Sequence, residues 1–218
     1  MKRPFDLSLY LVLDPILCGD VGERGFDGMV RTAVEAVSGG ASIVQLRAPD
    51  WKKGRKVACA RKLLEALRPL GVPLIIDDDA DVMLAAGADG LHIGQKDLSA
   101  EDARRLIGPD AILGLSINHL PELAAMPPET IDYIGIGPVF GTQTKKDAGA
   151  ALGLEKLAEI VQASPLPSVA IGGIKLAQTQ AVIQAGVNGI AVVSAICGTS
   201  DPAAAAQALR KAVDAAKG

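Results

Sequence analysis

Along the chain, short unbroken apolar runs alternate with longer stretches in which apolar residues return every three or four positions. The runs are LYLVL from Leu9, SIVQL from Ser42, LIID from Leu74, GLHIG from Gly90, ILGLS from Ile112, YIGIG from Tyr133, SVAIG from Ser168 and GIAVVS from Gly189. Between most of them the spacing is helical. In GRKVACARKLLEALRPL, for example, Val57, Ala60, Leu63, Leu64 and Leu67 fall on one face. Strands that are apolar at nearly every position belong to a parallel sheet covered on both faces, and alternating strand and helix units build such a sheet. Eight units in 218 residues predict a single (β/α)8 TIM barrel spanning residues 1–218. The alternative, an open doubly wound sheet, fits less well, because eight units in so short a chain leave no room for its usual elaborations.

A recurring junction supports the same architecture. GGASIVQL at Gly39, AGADGLHIG at Ala86 and AGVNGIAVV at Ala185 each put a glycine where a helix should stop and then re-enter an apolar strand. In a β/α barrel these junctions lie on the face that supplies stability, and the residues that follow each strand gather on the opposite, catalytic face. The alanine-rich end DPAAAAQALRKAVDAAKG reads as a closing helix with Pro202 in its first turn.

Composition narrows the function classes. Lys plus Arg number 22 against 25 Asp plus Glu, a net charge of −3, so no field is available to hold a nucleic-acid backbone or an anionic membrane. The apolar stretch near the N-terminus is broken by Asp14 and Pro15, too soon for a signal peptide or a membrane span. Cys18, Cys59 and Cys197 show neither zinc-ligand nor disulfide spacing. A reducing cytoplasm is the expected location.

The residues that follow the strands carry the chemistry. In order they are Asp14; Gln45 and Arg47; Asp77, Asp78 and Asp79; Gln95 and Asp97; Ser116 and Asn118; Thr142, Thr144 and Lys145; Gly172 and Gly173; and Ser194. Arg47 and Lys145 form one separated pair, and Asp78 and Asp97 another, so each pair can meet only if the barrel closes. A diphosphate bound with Mg2+ accounts for both pairs: Arg supplies a forked donor, Lys a point charge, and two carboxylates hold a hydrated ion that bridges phosphate oxygens. Plainer roles compete: Asp78 or Asp79 could cap the next helix, Asp97 could end a turn, and TQTKKD could be a solvated loop. IGGI at Ile171 and VVSAI at Val192 follow the seventh and eighth strands, where many β/α barrels hold a phosphate on backbone N–H groups. For Gly172 and Gly173 a tight turn needing glycine is the competing reading. GIGPVFG is spaced as GxGxxxG with Pro138 inside it, which is unlike a dinucleotide fingerprint. Of the two histidines, His92 lies within an apolar strand and reads as a satisfied core residue, whereas His119 follows a strand and is the candidate base.

Taken in order, QLRAP, DDDADVMLAAGADGLHIGQKDL, ILGLS, DYIGIGPVFGTQTKKD, VAIGGI and GIAVVSAI resemble the motifs of the thiamine phosphate synthase family, from Leu9 to about Ile196. The resemblance implies a cytoplasmic barrel enzyme, a transferase that joins hydroxymethylpyrimidine diphosphate to thiazole phosphate with Mg2+, giving thiamine phosphate and pyrophosphate. Carried over by position, Gln45, Arg47 and Lys145 contact the diphosphate, Asp78 and Asp97 ligate Mg2+, and Ser116 lies beside the reacting groups. Asp77 joins the substrate-contacting positions, Thr142 and Thr144 line the thiazole side, and Gly173, Val193 and Ser194 cradle its phosphate. Arg47, Lys145 and Ser116 are the expected catalytic residues.

Two positions depart from the family pattern. Pro49 stands where the family commonly has Lys, and Asp77 where it commonly has Asn, so this diphosphate site is more negative. Lys52 or Lys53 could compensate, and Asp77 could bind metal or pair with a lysine. A thiazole tautomerase on the same barrel would need a proton-transfer group, and a barrel that only binds thiazole phosphate or thiamine phosphate would not turn over. Gly141 and Gly149 would allow the loop between them to act as a lid, and a homodimer is left open.

Overall fold

The computed structural model describes residues 5–20, 25–142 and 149–218. Strand and helix alternate along them: β1 (Leu9–Leu13), α1 (Asp27–Ser38), β2 (Ile43–Leu46), α2 (Lys53–Leu67), β3 (Leu74–Asp77), α3 (Ala80–Ala86), β4 (Gly90–Ile93) and α4 (Ala100–Ile107). There follow β5 (Ile112–Ile117), α5 (Leu120–Ala125), β6 (Tyr133–Ile136), α6 (Gly153–Ala163), β7 (Ser168–Ile171), α7 (Leu176–Gln184), β8 (Gly189–Val192) and α8 (Pro202–Lys217). All neighbouring strands are parallel, and β8 returns to β1 through Leu9↔Ile190, Tyr10↔Ala191 and Leu11↔Val192. The sheet is therefore a closed (β/α)8 barrel in the order β1 to β8, not an open doubly wound sheet.

The apolar runs are strands because both of their faces are buried. Alternate residues such as Leu9, Leu11, Leu13, Val44 and Leu46 pack outward under the helices, in a core that also takes Leu63, Leu64 and Leu67 of α2. The intervening residues, among them Tyr10, Val12, Ile43, Ile75, Ile112, Tyr133 and Val169, fill the inside of the ring. Room for the two tyrosines is tight. A Cβ at Gly114 would stand 2.2 Å from Tyr133 Cζ and 2.5 Å from His92 Nδ1, so that interior position admits no side chain.

The helix stops match the glycine junctions. Gly87 ends α3 at φ 72, in the left-handed region that a glycine enters without steric cost. After α1 the duty moves one place: Gly39 keeps φ −83 and Gly40 takes φ 107. Asp201 Oδ1 accepts from the N–H of Ala204 at 2.8 Å and starts α8 together with Pro202. Among the described residues no helix is long and apolar enough to cross a membrane.

Candidate active site

The C-terminal ends of β2, β3 and β4 lie side by side and bring an arginine and three acids to one part of the rim. Arg47 follows β2 and Asp77 ends β3, and their side chains pair with Nε 3.4 Å from Oδ2, at 20% and 15% exposure. Asp78 is exposed and takes φ 61, rare for a residue with a Cβ, while its N–H donates to the carbonyl of His92 at 2.8 Å. That bond holds the turn against β4. On the next loop, exposed Asp97 accepts from the N–H of Gly94 through Oδ2 at 2.8 Å. Ser99, not Asp97, caps α4, its Oγ accepting from Asp102 N at 3.1 Å.

Asp78 and Asp97 suit Mg2+. Both are oxygen donors on loops of adjacent strands, and both are exposed; among the described residues no group of three or more acids, histidines or cysteines is placed to hold a metal ion by itself. A pair of carboxylates that leaves several coordination positions to water and phosphate oxygen is how Mg2+ is commonly held.

Ser116 lies on β5, half-buried, with its Oγ 3.0 Å from His92 Nε2. Gln95 Nε2 donates to the Ser116 carbonyl at 2.6 Å, which ties the β4–α4 loop to β5. Gln45 is buried under the rim, its Nε2 donating to Tyr10 Oη at 3.2 Å.

Across the ring, the loops after β7 and β8 form a second corner. Gly172 and Gly173 take φ 103 and φ 65, and added Cβ atoms would fall 2.6 Å from Pro138 Cα and 2.5 Å from the Gly141 carbonyl oxygen. The tight-turn reading of this pair therefore holds in its own right: both the dihedrals and the packing on the β6–α6 loop require glycine. Val193 is half-buried, and its carbonyl accepts from the N–H groups of Ile196 and Cys197, which folds the chain into a turn beside exposed Ser194. Lys175 Nζ donates to Ser194 Oγ at 2.8 Å. A cleft of about 480 Å3 between the β1–α1 and β8–α8 loops, lined by Cys18, Arg31 and Glu35 among others, shares no residue with the predicted site.

The pattern that defines thiamine monophosphate synthase matches residues 9–196, from β1 to the turn after β8. The chain belongs to this family. It is 53% identical over 209 residues to a thiamine-phosphate synthase of Laribacter hongkongensis, covering 96% of each chain. It is 49% identical over 218 residues to that of Azorhizobium caulinodans, covering both chains completely. A solved thiamine phosphate pyrophosphorylase from Pyrococcus furiosus superposes with a TM-score of 0.84 at 34% identity, covering 97% of this chain and 98% of the other. A 3-hexulose-6-phosphate synthase, at 18% identity and a TM-score of 0.65, shares the fold.

Within this barrel, several sequence expectations change. Asp77 pairs with Arg47, because β2 and β3 are neighbours and the two side chains face the same way. Lys53 does not turn toward the diphosphate corner: it pairs with Asp79 at 3.4 Å and with Asp81 at 2.8 Å. Asp79 stands at the start of α3 without capping it and instead meets Lys56 at 2.5 Å. His119, the candidate base, caps α5: its Nδ1 accepts from Glu122 N at 3.4 Å and its Nε2 lies 3.3 Å from Glu122 Oε1. His92 is half-buried rather than part of the core, and is hydrogen-bonded at both ring nitrogens. Thr142 is half-buried in the loop that follows β6. Thr144 and Lys145, and with them most of the suggested lid, lie outside the described residues.

Two cations escaped the sequence reading. Lys56 sits in the first turn of amphipathic α2, where a lysine ordinarily faces solvent. Lys175 follows IGGI directly, and its position one residue before a helix was the available signal.

Proposed function

We propose that the chain is a thiamine phosphate synthase, joining hydroxymethylpyrimidine diphosphate and thiazole phosphate with release of pyrophosphate. The observation that carries the reading is the shared rim: Arg47, Asp78 and Asp97 at the ends of β2, β3 and β4, Ser116 on β5, and the Gly173, Val193 and Ser194 corner beyond β7 and β8. By the resemblance to the family, the diphosphate would lie at the first group and the thiazole phosphate at the second.

Mg2+, held by Asp78 and Asp97, would neutralise charge on the departing pyrophosphate. Arg47 orients the diphosphate with a planar fork of donors, and Lys145 adds a second positive charge. The bond between the pyrimidine methylene and the diphosphate oxygen breaks with its electron pair leaving on the pyrophosphate. The electron-rich aminopyrimidine ring spreads the resulting positive charge, and the lone pair of the thiazole nitrogen then forms the new carbon–nitrogen bond. No proton has to move to a side chain, which agrees with His119 serving as a helix cap. Catalysis rests on positioning and charge neutralisation.

The test supplies both phosphorylated precursors and Mg2+ and follows thiamine phosphate, thiazole isomerisation and binding together. Thiamine phosphate formation, abolished by EDTA and lowered roughly 100-fold or more by Asp97→Ala or Lys145→Ala, is the expected result. Isomerisation without coupling would mark a thiazole tautomerase, and binding alone a non-catalytic barrel. Near-normal rates in both variants would remove the mechanism.

A further inference from the structure

Inside the ring, five side chains from β1, β2, β4, β5 and β6 make one continuous line of hydrogen bonds. Gln45 Nε2 donates to Tyr10 Oη at 3.2 Å, and the hydroxyls of Tyr10 and Tyr133 lie 2.8 Å apart. Tyr133 Oη meets His92 Nδ1 at 2.9 Å, and His92 Nε2 meets Ser116 Oγ at 3.0 Å. The line begins under the diphosphate corner and ends at a side chain on the rim.

Counting donors gives the line a direction. An amide nitrogen only donates, so Tyr10 Oη accepts from Gln45 and has one proton of its own to place. Given to Tyr133, that proton is satisfied. In the opposite arrangement a phenol that is 1% exposed keeps a proton with no acceptor among the described residues, the costly case for a buried donor. Tyr133 Oη, accepting from Tyr10, then gives its proton to His92 Nδ1. Burial pushes both phenols above their ordinary range, which keeps them protonated and able to donate. His92 is left carrying its proton on Nε2, facing Ser116.

The imidazole sits in a slot cut for it. A Cβ at Gly114 would come 2.5 Å from Nδ1, and one at Gly135 would come 3.2 Å from Cε1. Both flanks are bare backbone, so the ring keeps the orientation that the two hydrogen bonds require. Among the described residues the Ser116 hydroxyl has no other hydrogen-bond partner.

We infer that His92 is a positioning residue for Ser116: held as the Nε2–H tautomer by the Gln45–Tyr10–Tyr133 line, it donates to Ser116 Oγ and commits the serine's one proton to the substrate at the rim. An unsupported serine hydroxyl rotates and divides its time between donating and accepting. A committed donor is of use where an oxygen or ring nitrogen gains electron density as a leaving group departs, and fixing it in advance removes reorganisation from the reaction. The nature of that acceptor atom, in the pyrimidine substrate or its diphosphate, rests on the synthase reading. The tautomer does not.

The experiment has two arms. In the first, two-bond 1H–15N correlation spectra are recorded on the whole chain labelled at histidine. Because the chain has two histidines, His119→Asn assigns the signals. The neutral Nε2–H pattern is expected for His92, and Tyr133→Phe should convert it to a mixture of tautomers. An Nδ1–H pattern in the unaltered protein, or no change in Tyr133→Phe, overturns the inference whatever the enzyme turns over. In the second arm, His92→Phe should lower kcat about 10- to 100-fold, as loss of a hydrogen bond to the reacting site does, with smaller effects on KM. His92→Gln, whose amide nitrogen can stand near the Nε2 position, should recover most of that loss. The double variant His92→Phe with Ser116→Ala should be no slower than Ser116→Ala alone. Losses that multiply, or a His92→Gln as slow as His92→Phe, would sink the coupling. If His92→Phe does not fold, the spectra and His92→Gln still decide. Absence of synthase activity in the unaltered protein would remove the synthase reading and leave the spectral arm intact.

Discussion

At the scale of single residues, the ion pair between Arg47 and Asp77 is the local feature with the clearest consequence. A carboxylate 3.4 Å from Nε competes with any diphosphate for the same guanidinium. Asp77→Asn removes that competitor and restores the amide the family commonly carries. It should lower KM for the pyrimidine diphosphate several-fold, in keeping with about 1 kcal/mol or less for a partly exposed pair. Initial rates at varied diphosphate concentration check this, and an unchanged or raised KM would count against it. Lys175 makes the complementary case. Its hydrogen bond to Ser194 puts an ammonium beside the corner assigned to the thiazole phosphate. Lys175→Ala should raise KM for thiazole phosphate roughly 3- to 10-fold with kcat little altered, the loss being moderated because both side chains are exposed. The residues after the strands were legible because their position on the rim follows from the topology alone. Tyr10 and Tyr133 were not: each occupies an apolar strand of the expected kind, and what sets them apart is a partner hydroxyl 123 positions away.

Among the elements, α2 and α3 are joined by charges of unequal weight. Lys56 and Asp79 are 12% and 15% exposed, whereas Lys53 is 61% exposed in its pairs with Asp79 and Asp81. Lys56→Ala strips the closest partner from a half-buried carboxylate and should cost about 1–2 kcal/mol. Lys53→Ala should cost clearly less than Lys56→Ala, since solvent and salt screen an exposed pair. Urea titrations of both variants separate the two, and equal losses would show that depth is not what grades these contacts. Helix and strand positions were readable because both faces of each strand are buried and each helix buries one stripe, so the period survives in the sequence. The ends shift by a residue or two. SIVQL yields a strand over Ile43–Leu46, and GIAVVS one over Gly189–Val192, where ladder pairing to the neighbouring strand stops.

For the molecule as a whole, the seam between β8 and β1 is decisive. Gly189 packs so closely on the N-terminal segment that a Cβ would fall 1.8 Å from the carbonyl oxygen of Leu7. Gly189→Ala cannot be absorbed by turning a side chain, since the obstacle is backbone. It should destabilise the barrel by about 3 kcal/mol or more, the upper range of overpacking. A thermal melt reads the loss directly. At temperatures where the variant begins to open, activity should fall together with the tertiary signal, because opening the seam disperses the rim residues; activity that outlasts the melt would contradict a site built by closure.

The amino-acid sequence by itself determined the repeat of buried strand and amphipathic helix, the count of units, and so the face on which polar residues collect. These follow from local periodicity, which every part of the chain carries independently. Only the tertiary structure decided which of those polar residues meet. It set Asp77 against Arg47, gave Asp79 to Lys56, made His119 a cap and placed His92 between Tyr133 and Ser116. Such pairings depend on the register between neighbouring strands and on side chains that share the inside of a closed ring, and neither quantity is written into any one segment.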